Sequence, residues 1–185
     1  MRLDFIGGFA DTPIEKKDAA LVDTVMESEG AGAPLSPSAD PSWLLYASTI
    51  LELQGPAAKV VIDLRRPISG AQRVELLRLW NGAFAVVTAY NPIGRMLSPI
   101  ENEARHDRLR DVLERCGIVH RPANGLSPDG AHCERGFALH ASLDTARDLA
   151  CQFEQSALFW FDGESFCLVG ALVAARPTRL RLDVR

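Results

Sequence analysis

The stretch Ala83–Arg105 reads AFAVVTAYNPIGRMLSPIENEAR, and its reading decides the fold. Ala83 to Tyr90 is almost wholly apolar. A short continuous run of this kind fits a strand buried on both faces, central in a sheet. Asn91-Pro92 ends the run. A short loop with Gly94 and Arg95 follows, and Ser98-Pro99 opens the longest helix, which runs to about Cys116 with Gly117 beyond it. In α/β sheets the crevice beyond the carboxyl ends of strands favours ligands. A helix start adds free N–H groups and partial positive charge, suited to an anion. Leu109, Val112, Leu113 and Cys116 mark the buried stripe of that helix. Stepping back along the stripe reaches Arg105 or His106 and then Asn102, so the stripe turns polar beside the strand end. Such groups buried dry cost roughly 1–3 kcal/mol each, so they are expected to pair internally or to meet a polar ligand.

Working outward, Tyr46–Leu53 and Lys59–Leu64 read as a strand pair broken at Gly55-Pro56. Ser69 and Gln72 form a capping box for a helix through Trp80, with Val74, Leu77 and Trp80 facing in. Ile118–Ala123 and His132–Ala141 read as strands around a loop holding Asn124-Gly125 and Asp129-Gly130. Ser142 caps a third helix. Ala157–Phe161 and Glu164–Val169 flank Asp162-Gly163, a hairpin signal, and Arg179–Arg185 alternates like an edge strand. The order is ββαβαββαββ. The expected fold class is α+β (mixed α/β): a mixed, mostly antiparallel sheet of six or seven strands with three helices packed on it, plus an N-terminal helical arm.

Three segments are expected. Residues 1–41 are an acidic helical arm and flexible linker, 42–175 a single α/β domain, and 176–185 an arginine-rich tail or edge strand. Residues 1–40 hold three basic and eight acidic residues, a net of −5, against +1 for the remaining 145. That balance argues against general nucleic-acid binding. It leaves the arm as a possible surface for a protein partner. No apolar run approaches the roughly 20 residues of a bilayer span, and no secretory signal is apparent. Cys116, Cys133, Cys151 and Cys167 form no C-x-x-C pair, which points to a reducing compartment, the cytoplasm. His120, His132, Cys133 and His140 lie on neighbouring expected strands, but their spacing matches no zinc pattern. No metal and no cofactor is assigned.

The candidate ligand-binding residues are Thr88, Asn91, Arg95, Asn102, Arg105 and Gln155, with Glu101 or Glu134 as acid or base. Each has a plainer alternative. Ser98-x-x-Glu101 is itself a capping box. Asn91 before Pro92 suits a turn. Thr88 suits a strand, Tyr90 a core, and Arg95 and Arg105 a solvated surface. Glu134 shares a strand face with His132, Gly136 and His140. A carboxylate above such small residues suits a cleft, or equally a solvated face. The expected ligand is small and polar or anionic, such as a nucleotide or phosphorylated metabolite. The alternative is a non-catalytic interaction module in which the same cluster only locks the junction.

The TAYNP strand end, the S-x-x-E-N helix start and the F-x-Q-x-A-x-F stretch (Phe153, Gln155, Ala157, Phe159) resemble a bacterial family catalogued as domain of unknown function 3293. The similarity runs from about Tyr46 to Val169. The family pattern falls on Thr88, Ala89, Asn91, Pro92, Glu101, Asn102, Glu134 and Gln155. The resemblance implies a small cytosolic bacterial protein and carries no reaction with it.

Overall fold

The computed structural model describes Ser36, Asp40 and residues 43–180. The helix and linker expected over 1–41 and the strand residues beyond Leu180 lie outside the described residues, apart from Ser36 and Asp40. A 3-10 turn at Trp43–Ser48 leads into β1 (Ile50–Gln54) and β2 (Lys59–Asp63). Then follow α1 (Gly70–Trp80), β3 (Phe84–Thr88), a short turn at Pro92–Gly94, α2 (Pro99–Arg115), β4 (Val119–Leu126) and β5 (Cys133–His140). The chain closes with α3 (Leu143–Gln152), β6 (Ala157–Phe161), β7 (Phe166–Gly170) and β8 (Thr178–Arg179). The order ββαβαββαββ holds, with β8 as the extra strand.

All eight strands form one sheet in the order β2-β1-β4-β5-β3-β6-β7-β8. Every adjacent pair is antiparallel. The expected mixed sheet is thus corrected to a wholly antiparallel one. The crossover helices explain it. Through α2 the chain passes from β3 to β4, and through α3 from β5 to β6. In each case another strand occupies the place between the two, so no parallel neighbours arise. As expected, β3 is buried on both sides, with Phe84 and Val86 on one face and Ala85 and Val87 on the other.

Cross-strand register sorts the side chains into two layers. Ala85, Val87, Phe137, Leu139, Leu158 and Val169 pack beneath α2 and α3, against Leu109, Leu113 and Leu149. Leu51, Ile62, Phe84, Val86, Phe161 and Leu168 form the opposite layer, against Leu76 and Leu79 of α1. The inward face of α1 is corrected in part: Leu77 and Trp80 pack against this layer as expected, Val74 is exposed, and Leu76 and Leu79 are the buried anchors. Capping boxes at Ser69/Gln72 and Ser98/Glu101 start α1 and α2, and Asn81 closes α1 in the left-handed region.

Two turns also differ from expectation. Tyr46 lies in the 3-10 turn and not in β1. Asn124 and Gly125 lie within β4, where they pair with Arg135 and Glu134. The ladder continues through this turn-like dipeptide, and the reversal falls instead at Ser127–His132, closed by Ser127 N donating to His132 O at 2.9 Å. At the β6–β7 hairpin only Gly163 has positive φ, so the expected Asp162-Gly163 turn does not form, and residues 162–165 make the reversal between the two strands. Asp162 Oδ1 accepts from the N–H groups of Glu164 and Ser165 and holds it.

Candidate functional site

The chain leaves β3 at Thr88 and turns sharply. Asn91, Ile93 and Gly94 all have left-handed backbone, with φ of 46°, 51° and 68°. Asparagine tolerates this region, whereas β-branched Ile93 costs about 1–3 kcal/mol there. The surroundings hold it in place. Ile93 N donates to Glu154 O at 2.9 Å, and Gly94 N to Asn91 O at 3.0 Å.

Asn91 is the hub of the turn. Its Oδ1 accepts from Leu97 N at 3.1 Å and from Asn102 Nδ2 at 3.0 Å. Its N–H donates to Asn102 Oδ1 at 2.9 Å. The Leu97 N–H fixes which end of the Asn91 amide is oxygen. Nδ2 therefore points the other way and donates to Glu134 Oε1 at 2.8 Å. His132 Nε2 stands 3.2 Å from the same oxygen. Asn102 is buried on the α2 stripe one turn before His106, in the place the helical spacing predicts.

A cavity of about 380 Å³ opens beside this hub on the α1 side of the sheet. Its floor is built from small residues in register. Gly125 faces Glu134 across β4–β5, Ala123 faces Gly136, and Ala157 lies on β6. Leu51, Val86, Phe159 and Leu168 add apolar wall. The 3-10 turn supplies Tyr46 and Leu45, and the loop before α2 supplies Met96. Leu45 and Met96 are 66% and 75% exposed, which places the mouth between them. The Tyr46 hydroxyl donates to Asp40 Oδ2 at 2.9 Å. Burial, and then the charge of Asp40, raise the Tyr46 pKa well above its ordinary value.

The expected site residues fall into two groups. Thr88, Asn91, Glu134 and Gln155 line the cavity, and Asn102 stands directly behind Asn91. Thr88 Oγ1 donates to Arg135 O at 2.8 Å and accepts from Tyr90 N at 3.0 Å. Gln155 is buried, and its Nε2 donates to Tyr90 O at 3.0 Å and Phe153 O at 3.1 Å. Two carbonyls demand the amide nitrogen on that side, so Oε1 is left without a donor among the described residues.

Arg95, Glu101 and Arg105 stand outside the cavity lining. Arg105 fastens the junction from behind: Nε donates to Ala89 O at 2.7 Å, Nη2 to Phe153 O at 2.5 Å, and Nη1 meets Glu154 Oε2 at 3.1 Å. Arg95 is exposed and lies 3.7 Å from Glu154 Oε1. Glu101 caps α2, accepting from Ser98 N at 2.8 Å and Ser98 Oγ at 2.6 Å. Those bonds lower its pKa, the opposite of what a general acid needs.

Sequence reasoning did not place Tyr46, Asp40, Leu45 or Met96 at the site. One signal was present for the floor: Ala123, Gly125, Gly136 and Ala138 put small residues at alternate positions of two neighbouring strands. Among the described residues no group of three or more His, Cys, Asp or Glu side chains could hold a metal ion. Nor is any helix among them long and apolar enough to cross a membrane.

The structure thus defines an α+β chain whose single antiparallel sheet carries a cavity at the end of its central strand. A family model described as "Protein of unknown function (DUF3293)" matches residues 87–158, from the end of β3 into β6. The chain resembles that family over a span that holds Thr88, Asn91, Glu134 and Gln155 but stops short of Tyr46. No curated protein and no solved structure matches the chain.

Proposed function

We propose that this chain binds a small, largely apolar molecule in the cavity and holds its polar end at Glu134. The observation that carries the reading is the fixed carboxylate. Asn91 and His132 engage Glu134 Oε1, while Oε2 has no donor among the described residues, and Glu134 lines an otherwise largely apolar hollow. In this reading Asn102 positions Asn91, Asn91 positions Glu134, and Thr88 and Gln155 border the polar end. Pockets of this size, mostly apolar with a few placed polar groups, are the usual form of a small-molecule site. The four unpaired cysteines favour a reducing compartment, and we place the activity in the bacterial cytoplasm.

The geometry weakens the expectation of an anionic ligand, whether nucleotide or phosphorylated metabolite. Arg105 is engaged with two carbonyls and Glu154, Arg95 faces Glu154, and Glu134 would repel an anion. The test is a fluorescence titration with 1-aminoanthracene, a neutral apolar reporter. Saturable one-site binding is expected, weakened at least tenfold by Gly125→Leu, which fills the floor. An unsaturable signal, or one indifferent to Gly125→Leu, overturns the reading.

A second reading, a non-catalytic interaction module, is favoured by the exposure of Leu44, Leu45, Met96 and Ile100. Its partner surface would include residues 1–41. Loss of reporter binding on deleting residues 1–41 argues that the arm belongs to the cavity. Unchanged binding leaves the arm free for a partner.

A further inference from the structure

The hydrogen-bond inventory of the cavity leans toward acceptors: of the lining donors, His132 is engaged with Glu134 Oε1 and Asn91 Nδ2 donates to the same oxygen. Glu134 Oε2 and Gln155 Oε1 are acceptors with no donor among the described residues, and Gln155 is 6% exposed. The lining hydroxyls of Tyr46, Thr88 and Ser127 already direct their hydrogens to Asp40, Arg135 O and Asp129. What each of these can still offer the cavity is a lone pair. Ser48 and Thr49 are the lining hydroxyls left to serve in either role. No lysine or arginine lines the cavity among the described residues. Glu134 is a carboxylate at its edge, and Asp40 lies behind Tyr46 with 3% exposure.

The Glu134 side chain is a quarter exposed, and acceptors that border a cavity without a protein donor are free to take a hydrogen bond from a ligand that donates. A carboxylate among them selects positive charge, because charge-assisted bonds are the strong ones. The apolar walls require that this charge sit at the end of a hydrocarbon body. On the cavity reading above, we propose that the ligand is a primary organic amine. Its ammonium group donates to Glu134 Oε2 and Gln155 Oε1, and its hydrocarbon body lies over Ala123, Gly125 and Phe159. Asn91 acts as a positioning residue, since its Nδ2 holds Glu134 Oε1 and leaves Oε2 to the ligand.

The experiment is competition against bound 1-aminoanthracene by three probes that share a phenylethyl body and differ in the end group: 2-phenylethylamine, 2-phenylethanol and 3-phenylpropionate. The expected result is displacement by the amine at concentrations at least tenfold below the other two. In Glu134→Gln, which keeps an acceptor for Asn91 Nδ2, that preference is expected to vanish while 2-phenylethanol competes as before. Near-ultraviolet circular dichroism of the variant verifies the fold. Equal or better displacement by the alcohol or the carboxylate overturns the amine and leaves the cavity reading standing. An amine preference that survives in Glu134→Gln also overturns it. If no probe displaces bound 1-aminoanthracene, the amine is overturned and the cavity reading stands; if 1-aminoanthracene does not bind at all, both readings fail together.

Discussion

The two faces of the sheet are made by the same strands, yet one is filled and the other is hollow. Beneath α2 and α3 the alternate positions carry Val87, Phe137, Leu139, Leu158 and Val169, and Leu109, Leu113 and Leu149 close over them. On the opposite face α1 packs where Phe84, Phe161 and Phe166 stand. Beyond that patch the alternate positions are Ala123, Gly125, Gly136 and Ala157, and there the cavity opens. A site arises here by leaving side chains out of one parity of the strands. The dense face then has to carry the stability. Leu109→Ala on that face is expected to cost about 2–5 kcal/mol, measured by urea denaturation with an unchanged m-value. A cost below about 1 kcal/mol would break the contrast between the faces.

The two polar clusters at the end of β3 differ in the same way. Arg105 is saturated by Ala89 O, Phe153 O and Glu154, and its side chain is 18% exposed. Glu134 keeps one oxygen open. Arg105→Ala takes the guanidinium donor from Ala89 O and leaves Phe153 O to Gln155 Nε2 alone, and is expected to cost about 1–3 kcal/mol. The exposed Arg95–Glu154 contact is worth little, so Arg95→Ala is the matched control and should barely move the unfolding midpoint.

His106 sharpens the comparison from within α2. Its ring stacks on Phe137 at 4.5 Å, and its Nδ1 is buried without a hydrogen-bond partner. Burial, followed by the charge of Arg135, lowers its pKa below the ordinary 6.5. The unfolded chain therefore binds a proton more readily than the folded one in the window below pH 6.5. The stability linked to His106 is fully present above that pH. It is lost as the pH falls toward the depressed folded value. His106→Phe preserves the stack and removes the proton. Urea midpoints at pH 7.5 and 5.5 should differ less in that variant than in the parent chain, and an unchanged difference would show that His106 does not drive the acid sensitivity.

The dense face was legible in the sequence because its signals are local. A doubly apolar β3, the capping box at Ser98, and the Leu109–Cys116 stripe each lie within one or two turns of chain. Asn102 could be placed for the same reason, by counting back along its helix. The hollow face was legible only in fragments. Asn124-Gly125 carries turn chemistry, yet pairing with Arg135 and Glu134 keeps it in β4, and no local pattern reveals that ladder. Arg105 read as an anion binder because its partners, Ala89 O and Phe153 O, lie 16 and 48 residues away. Tyr46 reads as a strand residue by propensity, and its role at the cavity depends on strands that follow much later in the chain.

Gly125 and Gly136 close the comparison, because they lie on adjacent strands of the same face and differ in what surrounds them. A Cβ at Gly136 would stand 2.4 Å from Val87 O and 3.2 Å from Thr88 Cα, both backbone atoms of β3 that cannot give way. Gly136→Ala must push β3 and β5 apart and is expected to cost about 1–3 kcal/mol. A Cβ at Gly125 would meet only Thr49 Cγ2, at an ordinary 3.5 Å. A side chain there projects over the cavity floor, and a larger residue also recovers part of the strand preference that glycine gives up. Gly125→Leu is therefore expected to change stability by less than about 1 kcal/mol, while it weakens reporter binding at least tenfold. If it destabilises as much as Gly136→Ala, the floor is packed and the hollow does not exist in solution. If stability holds and binding also holds, the bound molecule lies elsewhere, and the small residues of β4 and β5 serve only the curvature of the sheet.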